Sequence, residues 1–146
     1  MSTYPSYAHQ SSNGFSLRAS KDLEINEVAE RFKPKDDIIF ENYCEVPEDE
    51  VQYVLNFLAS DGLWKWLIPL KNARYANHSC EPNCEINERL EIVTIKKVLK
   101  DEELTFLYNH GSSEDYWDPR WTFQCRCGMP TCQGIIDRYR NIRSNK

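Results

Sequence analysis

A mainly β fold of short strands, with one or two helices and a cysteine-rich C-terminal segment, is predicted by three features of this 146-residue sequence. Short β-branched and aromatic runs recur between turn residues, a single stretch has clear helical spacing, and three of the six cysteines gather at 125, 127 and 132. The length suits one domain whose core needs no disulfide.

Residues 1–12 carry no hydrophobic periodicity and read as a flexible N-terminal arm. Asn13-Gly14 opens a turn, and the alternation of Phe15, Leu17 and Ala19 predicts a half-buried strand. Leu23, Ile25, Val28 and Phe32 are less periodic and are expected to cover that strand's edge. Residues 38–40, Ile-Ile-Phe, form a second short strand ending near Tyr43.

From Pro47 the pattern becomes helical. Proline sits at the first turn, Glu48, Asp49 and Glu50 at the positive end of the dipole, and Val51, Val54, Leu55 and Leu58 at helical spacing. Gly62 ends this amphipathic helix. Residues 63–70, with Trp64, Trp66 and Pro69, suit core packing, and residues 90–98 and 103–108 are β-rich runs joined through a turn at Lys100-Asp101.

The net charge of −5 disfavours direct nucleic-acid binding, which needs a basic face to displace counterions. A cationic partner fits better: Glu41, Glu45, Glu48, Asp49, Glu50 and Asp61 share residues 41–61 with no Lys or Arg. Arg138, Arg140, Arg143 and Lys146 make the C-terminus basic. No apolar run is long enough for a membrane span and no signal-peptide pattern is visible, so an intracellular setting, nuclear or cytoplasmic, is expected. There, cysteines read first as metal ligands or free thiols.

Two clusters carry chemistry. Residues 77–84, Asn-His-Ser-Cys-Glu-Pro-Asn-Cys, pack two carboxamides, an imidazole and two thiols into an irregular loop. Alone, that stretch would suit a surface turn with a buried cysteine. Cys125, Cys127 and Cys132, interrupted by Gly and Pro, fit a thiolate metal site better than a redox pair, because no Cys-X-X-Cys is present. Tetrahedral Zn²⁺ wants a fourth ligand, and Cys80 or Cys84 can supply it.

With both clusters in view, the chain resembles the SET-domain protein lysine methyltransferases that carry a zinc-binding post-SET segment. Residues 13–19, Asn-Gly-Phe-Ser-Leu-Arg-Ala, look like the family's Gly-X-Gly strand, and residues 74–83 match Arg-aromatic-X-Asn-His-Ser-Cys-X-Pro-Asn. Residues 103–108, Glu-Leu-Thr-Phe-Leu-Tyr, are similar to Glu-Leu-Thr-aromatic-Asp-Tyr, and residues 125–134 match Cys-X-Cys-Gly-X3-Cys-X-Gly. Together and in order, these motifs are specific.

The resemblance implies a SET (β-clip) fold in which stretches 77–83 and 103–108 thread past one another in a pseudoknot. It divides the chain into the arm at 1–12, a SET domain at 13–124 and a post-SET segment at 125–146. It implies S-adenosylmethionine held by Asn77, His78, Arg74 and Tyr108, and by backbone near Phe15 and Leu17. It makes Tyr108 the active-site tyrosine and places Zn²⁺ on Cys80, Cys125, Cys127 and Cys132, leaving Cys84 a spectator.

The same resemblance implies methyl transfer to a lysine of a basic protein or peptide, such as a histone tail, with the acidic 41–61 insert steering it. Phe106, where relatives carry Phe or Tyr, favours di- or trimethylation. The chain departs from the pattern at Ser16, in place of the second glycine, and at Leu107, in place of Asp. By counting, the family's Tyr-X-Gly-Glu falls on residues 32–35, starting at Phe32. These departures frame an alternative, a catalytically inactive SET module that binds cofactor or basic peptide. A zinc-stabilised interaction domain of another kind would explain the cysteines but not Asn77-His78.

Overall fold

Gly14, at φ 114°, starts the second strand of a polar hairpin in which Ser6–Ser11 (β1) lies antiparallel to Gly14–Ala19 (β2). The structure, a computed structural model, describes residues 4–12, 14–106, 123–125, 127, 129, 130, 132 and 134–136. The strand β1 departs from the expected flexible arm. Its side chains are mostly polar, so no hydrophobic period announces it, but a backbone ladder needs none once a partner strand is present. That partner supplies the apolar face, since Leu17 and Ala19 are fully buried.

Val28–Arg31 (β3) is a strand where only edge cover was expected. It belongs to a three-stranded sheet completed by the hairpin of Cys84–Ile86 and Glu91–Thr94, with the 91–94 strand in the centre. Ile92 and Ala29 face the core. Phe32, next along the chain, is buried at 2% exposure and its N–H donates to the Leu90 carbonyl at 2.9 Å.

The second three-stranded sheet comprises Ile38–Phe40 (β4), Leu55–Leu58 (β5) and Trp64–Ile68 (β6), in the order β4-β6-β5. Here the amphipathic helix is corrected. Its first half is a 3-10 helix, Glu48–Tyr53, and its second half is β5, paired from Leu55↔Leu67 to Leu58↔Trp64. Val54 and Phe57 favour extended backbone, and β6 offers a ladder that outweighs the modest helical bias of the spacing. Gly62, at φ 84°, serves the β5–β6 turn rather than a helix cap, with the Ala59 and Leu63 backbones bonded at 2.9 Å. Two further 3-10 helices, Tyr43–Glu45 and Asn72–Tyr75, complete the helical content, and the described residues contain no α-helix. None of them is long and apolar enough to cross a membrane.

Asn77–His78 (β7) pairs in parallel with Thr105–Phe106 (β10), as the pseudoknot expects. Between them in sequence lie Cys84–Ile86 (β8) and Glu91–Thr94 (β9). Phe123–Gln124 (β11) and Ile135–Ile136 (β12) form a small antiparallel ladder beside the cysteine-rich segment. The main core gathers Leu17, Leu23, Leu67, Ile92, Val98 and Leu104, with Phe106 of β10 packed against it, while Val46, Val51 and Ile68 make a satellite core against Phe40, Tyr43 and Trp66.

Candidate functional site

The loop after β7 is too polar to be held by apolar packing, and it is held by its own side chains. Asn83 sits between two strands' worth of unpaired backbone: its Nδ2 donates to the Glu103 carbonyl at 2.8 Å and its Oδ1 accepts the Thr105 N–H at 2.9 Å. One carboxamide thus imitates a strand's donor and acceptor and closes the gap beside β10. The Ser79 N–H adds a bond to the Phe106 carbonyl at 3.2 Å.

Asn77 turns the other way. Its Nδ2 donates to the Phe15 carbonyl and to Glu103 Oε2, each at 2.9 Å, so β2, β7 and the start of β10 converge on one carboxamide. Phe15 is 46% exposed and stacks on Tyr75 with ring centroids 4.6 Å apart. The Leu17 side chain points into the core and its carbonyl accepts the Leu104 N–H at 2.7 Å. At Ser16 the hydroxyl accepts from Arg18 Nε at 3.2 Å, so the side chain that replaces a glycine has a partner within its own strand.

His78 Nε2 lies 3.5 Å from Cys80 Sγ, and burial pushes the imidazole down to about 4, leaving it neutral near pH 7. Cys80, in turn, lies 3.7 Å from Cys125 Sγ. The sulfurs of Cys80, Cys125, Cys127 and Cys132 all fall within 4.8 Å of one another. Tetrahedral Zn²⁺ with bonds of about 2.3 Å places its sulfurs roughly 3.8 Å apart, so this donor set fits that ion. Burial raises the Cys125 thiol. At Cys127 burial also opposes ionisation, but backbone N–H groups of Cys80 and Met129, with the neighbouring thiols, pull it down to about 6. A thiolate ready at neutral pH is what a metal ligand requires.

Cys84 stands apart, 1% exposed in the main core, its thiol pushed up to about 12 by burial. Of the two donors that composition left open, the fold brings Cys80 to the C-terminal cysteines. Arg74, on the 3-10 helix Asn72–Tyr75, meets Glu50, Pro69 and Tyr53. Its Nη1 donates to Glu50 Oε2 at 3.0 Å and to the Pro69 carbonyl at 3.2 Å, and its guanidinium lies 3.8 Å over the Tyr53 ring. Phe106 packs its ring against the main core. Tyr108 and Leu107 lie outside the described residues. Sequence reasoning did not single out Glu103, Tyr75 or Glu50 as site residues; each is an ordinary strand or turn residue until its partner across the fold is known.

A family model of the SET domain matches residues 14–109. An H3 lysine-36 specific histone-lysine N-methyltransferase of Candida glabrata is 29% identical over 147 aligned positions, covering 84% of this chain and 18% of that protein. A Cryptococcus neoformans enzyme of the same description is 43% identical over 70, covering 43% of this chain and 8% of its own length. This chain therefore spans under a fifth of either relative. Among solved structures, a Plasmodium falciparum protein provisionally described as a histone methyltransferase superposes with a TM-score of 0.58 at 21% identity, covering 75% of this chain and 97% of that one. At that identity the likeness bears on the fold alone.

Proposed function

We propose that this chain, which belongs to the SET-domain family, transfers methyl groups from S-adenosylmethionine to a lysine side chain of a basic protein, with histone H3 the first candidate. The observation that carries this reading is the convergence of the Phe15 carbonyl, the Asn77 carboxamide and the Glu103 carboxylate beside the parallel β7–β10 pair. That convergence is partly buried, rich in oxygen acceptors and bears a negative charge, which suits a cationic sulfonium cofactor with an amino group. The description of the relatives as H3 lysine-36 specific makes that lysine the first to test, which would place the activity at chromatin in the nucleus.

When bound, the cofactor supplies an already electrophilic methyl group, so the protein's task is chiefly alignment. Asn77 and Phe15 hold the cofactor, with His78 alongside and Leu17 supporting from the core. Tyr108, two residues past β10, orients the lysine amine through its hydroxyl. Desolvation of that amine on binding would keep it neutral by disfavouring its charged form. Phe106 offers no hydroxyl to hold a water beside the amine, which favours di- and trimethyl products that product mass spectrometry would register as masses beyond monomethyl-lysine. Cys80, Cys125, Cys127 and Cys132 hold zinc and tie the post-SET segment at 125–146 to the SET body at 13–124.

Transfer of labelled methyl to H3 and a panel of basic proteins tests the proposal, with Tyr108→Phe as the inactive control. Transfer that survives Tyr108→Phe removes the tyrosine from the mechanism. Cofactor binding without transfer to any substrate would instead favour a binding module.

A further inference from the structure

Arg74 sits on the strap at residues 72–76, between the insert and the Asn77 site in the sequence, and its side chain meets Glu50 and Tyr53 of the insert and the Pro69 carbonyl beyond it. The Nη1 is shared by Glu50 and the Pro69 carbonyl, and the guanidinium plane lies on Tyr53. Both partners of the ion pair are mostly covered, with side chains 20% and 27% exposed, so this is not a solvated surface contact. The next residue faces the opposite way: Tyr75 stacks on Phe15, whose carbonyl accepts from Asn77. Two adjacent side chains on one 3-10 turn therefore grip the insert and the cofactor strand. A 3-10 turn of four residues, closed by the Ala76 N–H to the Ala73 carbonyl at 3.2 Å, has little slack to absorb a shift on either side.

We infer that Arg74 is a positioning residue, not a cofactor contact, and that the Glu50–Arg74–Tyr53 clamp couples the acidic insert to the cofactor site. The inference rests on the proposed methyltransferase reading for the identity of the ligand. Basic substrate approaching the insert competes with Arg74 for Glu50, so its binding is communicated to Phe15 and Asn77 through one turn of backbone. Coupling of this kind is reciprocal: cofactor changes peptide affinity by the same factor that peptide changes cofactor affinity.

The experiment measures S-adenosylmethionine dissociation constants by calorimetry for the full chain, Glu50→Gln, Arg74→Lys and the double variant, alongside melting temperatures. Lysine keeps the charge but loses the planar fork that serves Glu50, Pro69 and Tyr53 together. Each single variant is expected to weaken binding roughly fivefold to tenfold. The double variant should be no weaker than the worse single, within about twofold, because both changes break one clamp. Lys97→Ala, which removes an exposed pair with Glu24 far along the sequence from the strap, should change nothing. Weakening by Arg74→Lys with Glu50→Gln unaffected overturns the inference and returns Arg74 to the cofactor. A chain that binds no S-adenosylmethionine at all would sink the proposed function rather than the clamp. Hydrogen exchange then decides: Glu50→Gln should speed exchange of the Ser79 amide, and an unchanged rate there overturns the coupling.

Discussion

The strap at 72–76 separates two regions held together by opposite means. On one side, residues 77–83 and 103–106 are stitched by carboxamides: Asn83 to both Glu103 and Thr105, Asn77 to Phe15 and Glu103. On the other, residues 40–68 are held by apolar packing: a satellite core of Val46, Val51 and Ile68 against Trp66, whose ring meets Tyr43 edge-on at 4.7 Å, and Leu55, Phe57 and Leu67 on the main core. The polar stitches are directional and specify one geometry, as a site must. The apolar packing is more tolerant of detail. Rigidity and chemistry thus lie together in the first region, and both the shared main core, through Leu67, and the Arg74 clamp relate the second to it.

The largest expected effect breaks the first region from the C-terminal side. Cys80→Ser should abolish zinc binding, with an apparent metal affinity of order 10 kcal/mol at stake, whereas Cys84→Ala should retain zinc in a metal-content assay. Chelation of the intact chain should weaken S-adenosylmethionine binding; unchanged affinity after verified metal removal would uncouple the two sites.

Next comes the satellite core. Ile68→Ala, at a position 1% exposed, should cost about 3 kcal/mol in urea denaturation through lost burial and a residual cavity. Asn83→Ala should cost less, about 2 kcal/mol, by leaving the Glu103 carbonyl and the Thr105 N–H without their partner. It should nonetheless damage cofactor binding more than Ile68→Ala does. Equal damage by both would mean the two regions are not mechanically distinct.

The smallest effect lies at the insert's hairpin. A hydrogen bond from Lys65, then the Leu63 N–H, holds the Asp61 carboxyl below its ordinary 3.8. A lowered folded pKa contributes stability that is present above the ordinary value and is lost as pH falls through the folded one. The stability difference between the native chain and Asp61→Asn should therefore be visible near pH 6 and fade as pH falls below 3.8. A difference that persists in acid would show that the pair does not act through its charge.

The two regions were also unequally legible. Asn77, His78, Cys80 and the C-terminal cysteines can be recognised because their chemistry is rare and their spacing is specific. β2 could be read because Leu17 alternates with polar Ser16 and Arg18, and β4 and β9 because Ile38-Ile39-Phe40 and Ile92-Val93-Thr94 are short runs of β-branched and aromatic residues. The insert misled, since Val51, Val54, Leu55 and Leu58 satisfy helical spacing while Leu55–Leu58 pairs with β6. The local preferences are divided, with helical spacing set against the extended bias of Val54 and Phe57, and the partner strand decides. The strand β1 was invisible for the same reason, because its ladder with β2 depends on backbone and not on side-chain pattern.

By itself the sequence determined the residue types, their order and the motifs that name the family, together with the cysteine set from which any zinc ligands must come. The family resemblance already pointed to Cys80 over Cys84, and the tertiary structure brings its sulfur to that set; only the tertiary structure decided that Glu103 meets Asn77. It also decided that Arg74 turns to Glu50. Each of those choices depends on which backbone lies alongside which, and a parallel pair such as β7 and β10, separated by the whole β8–β9 hairpin, is set by the closure of the core and not by any local preference.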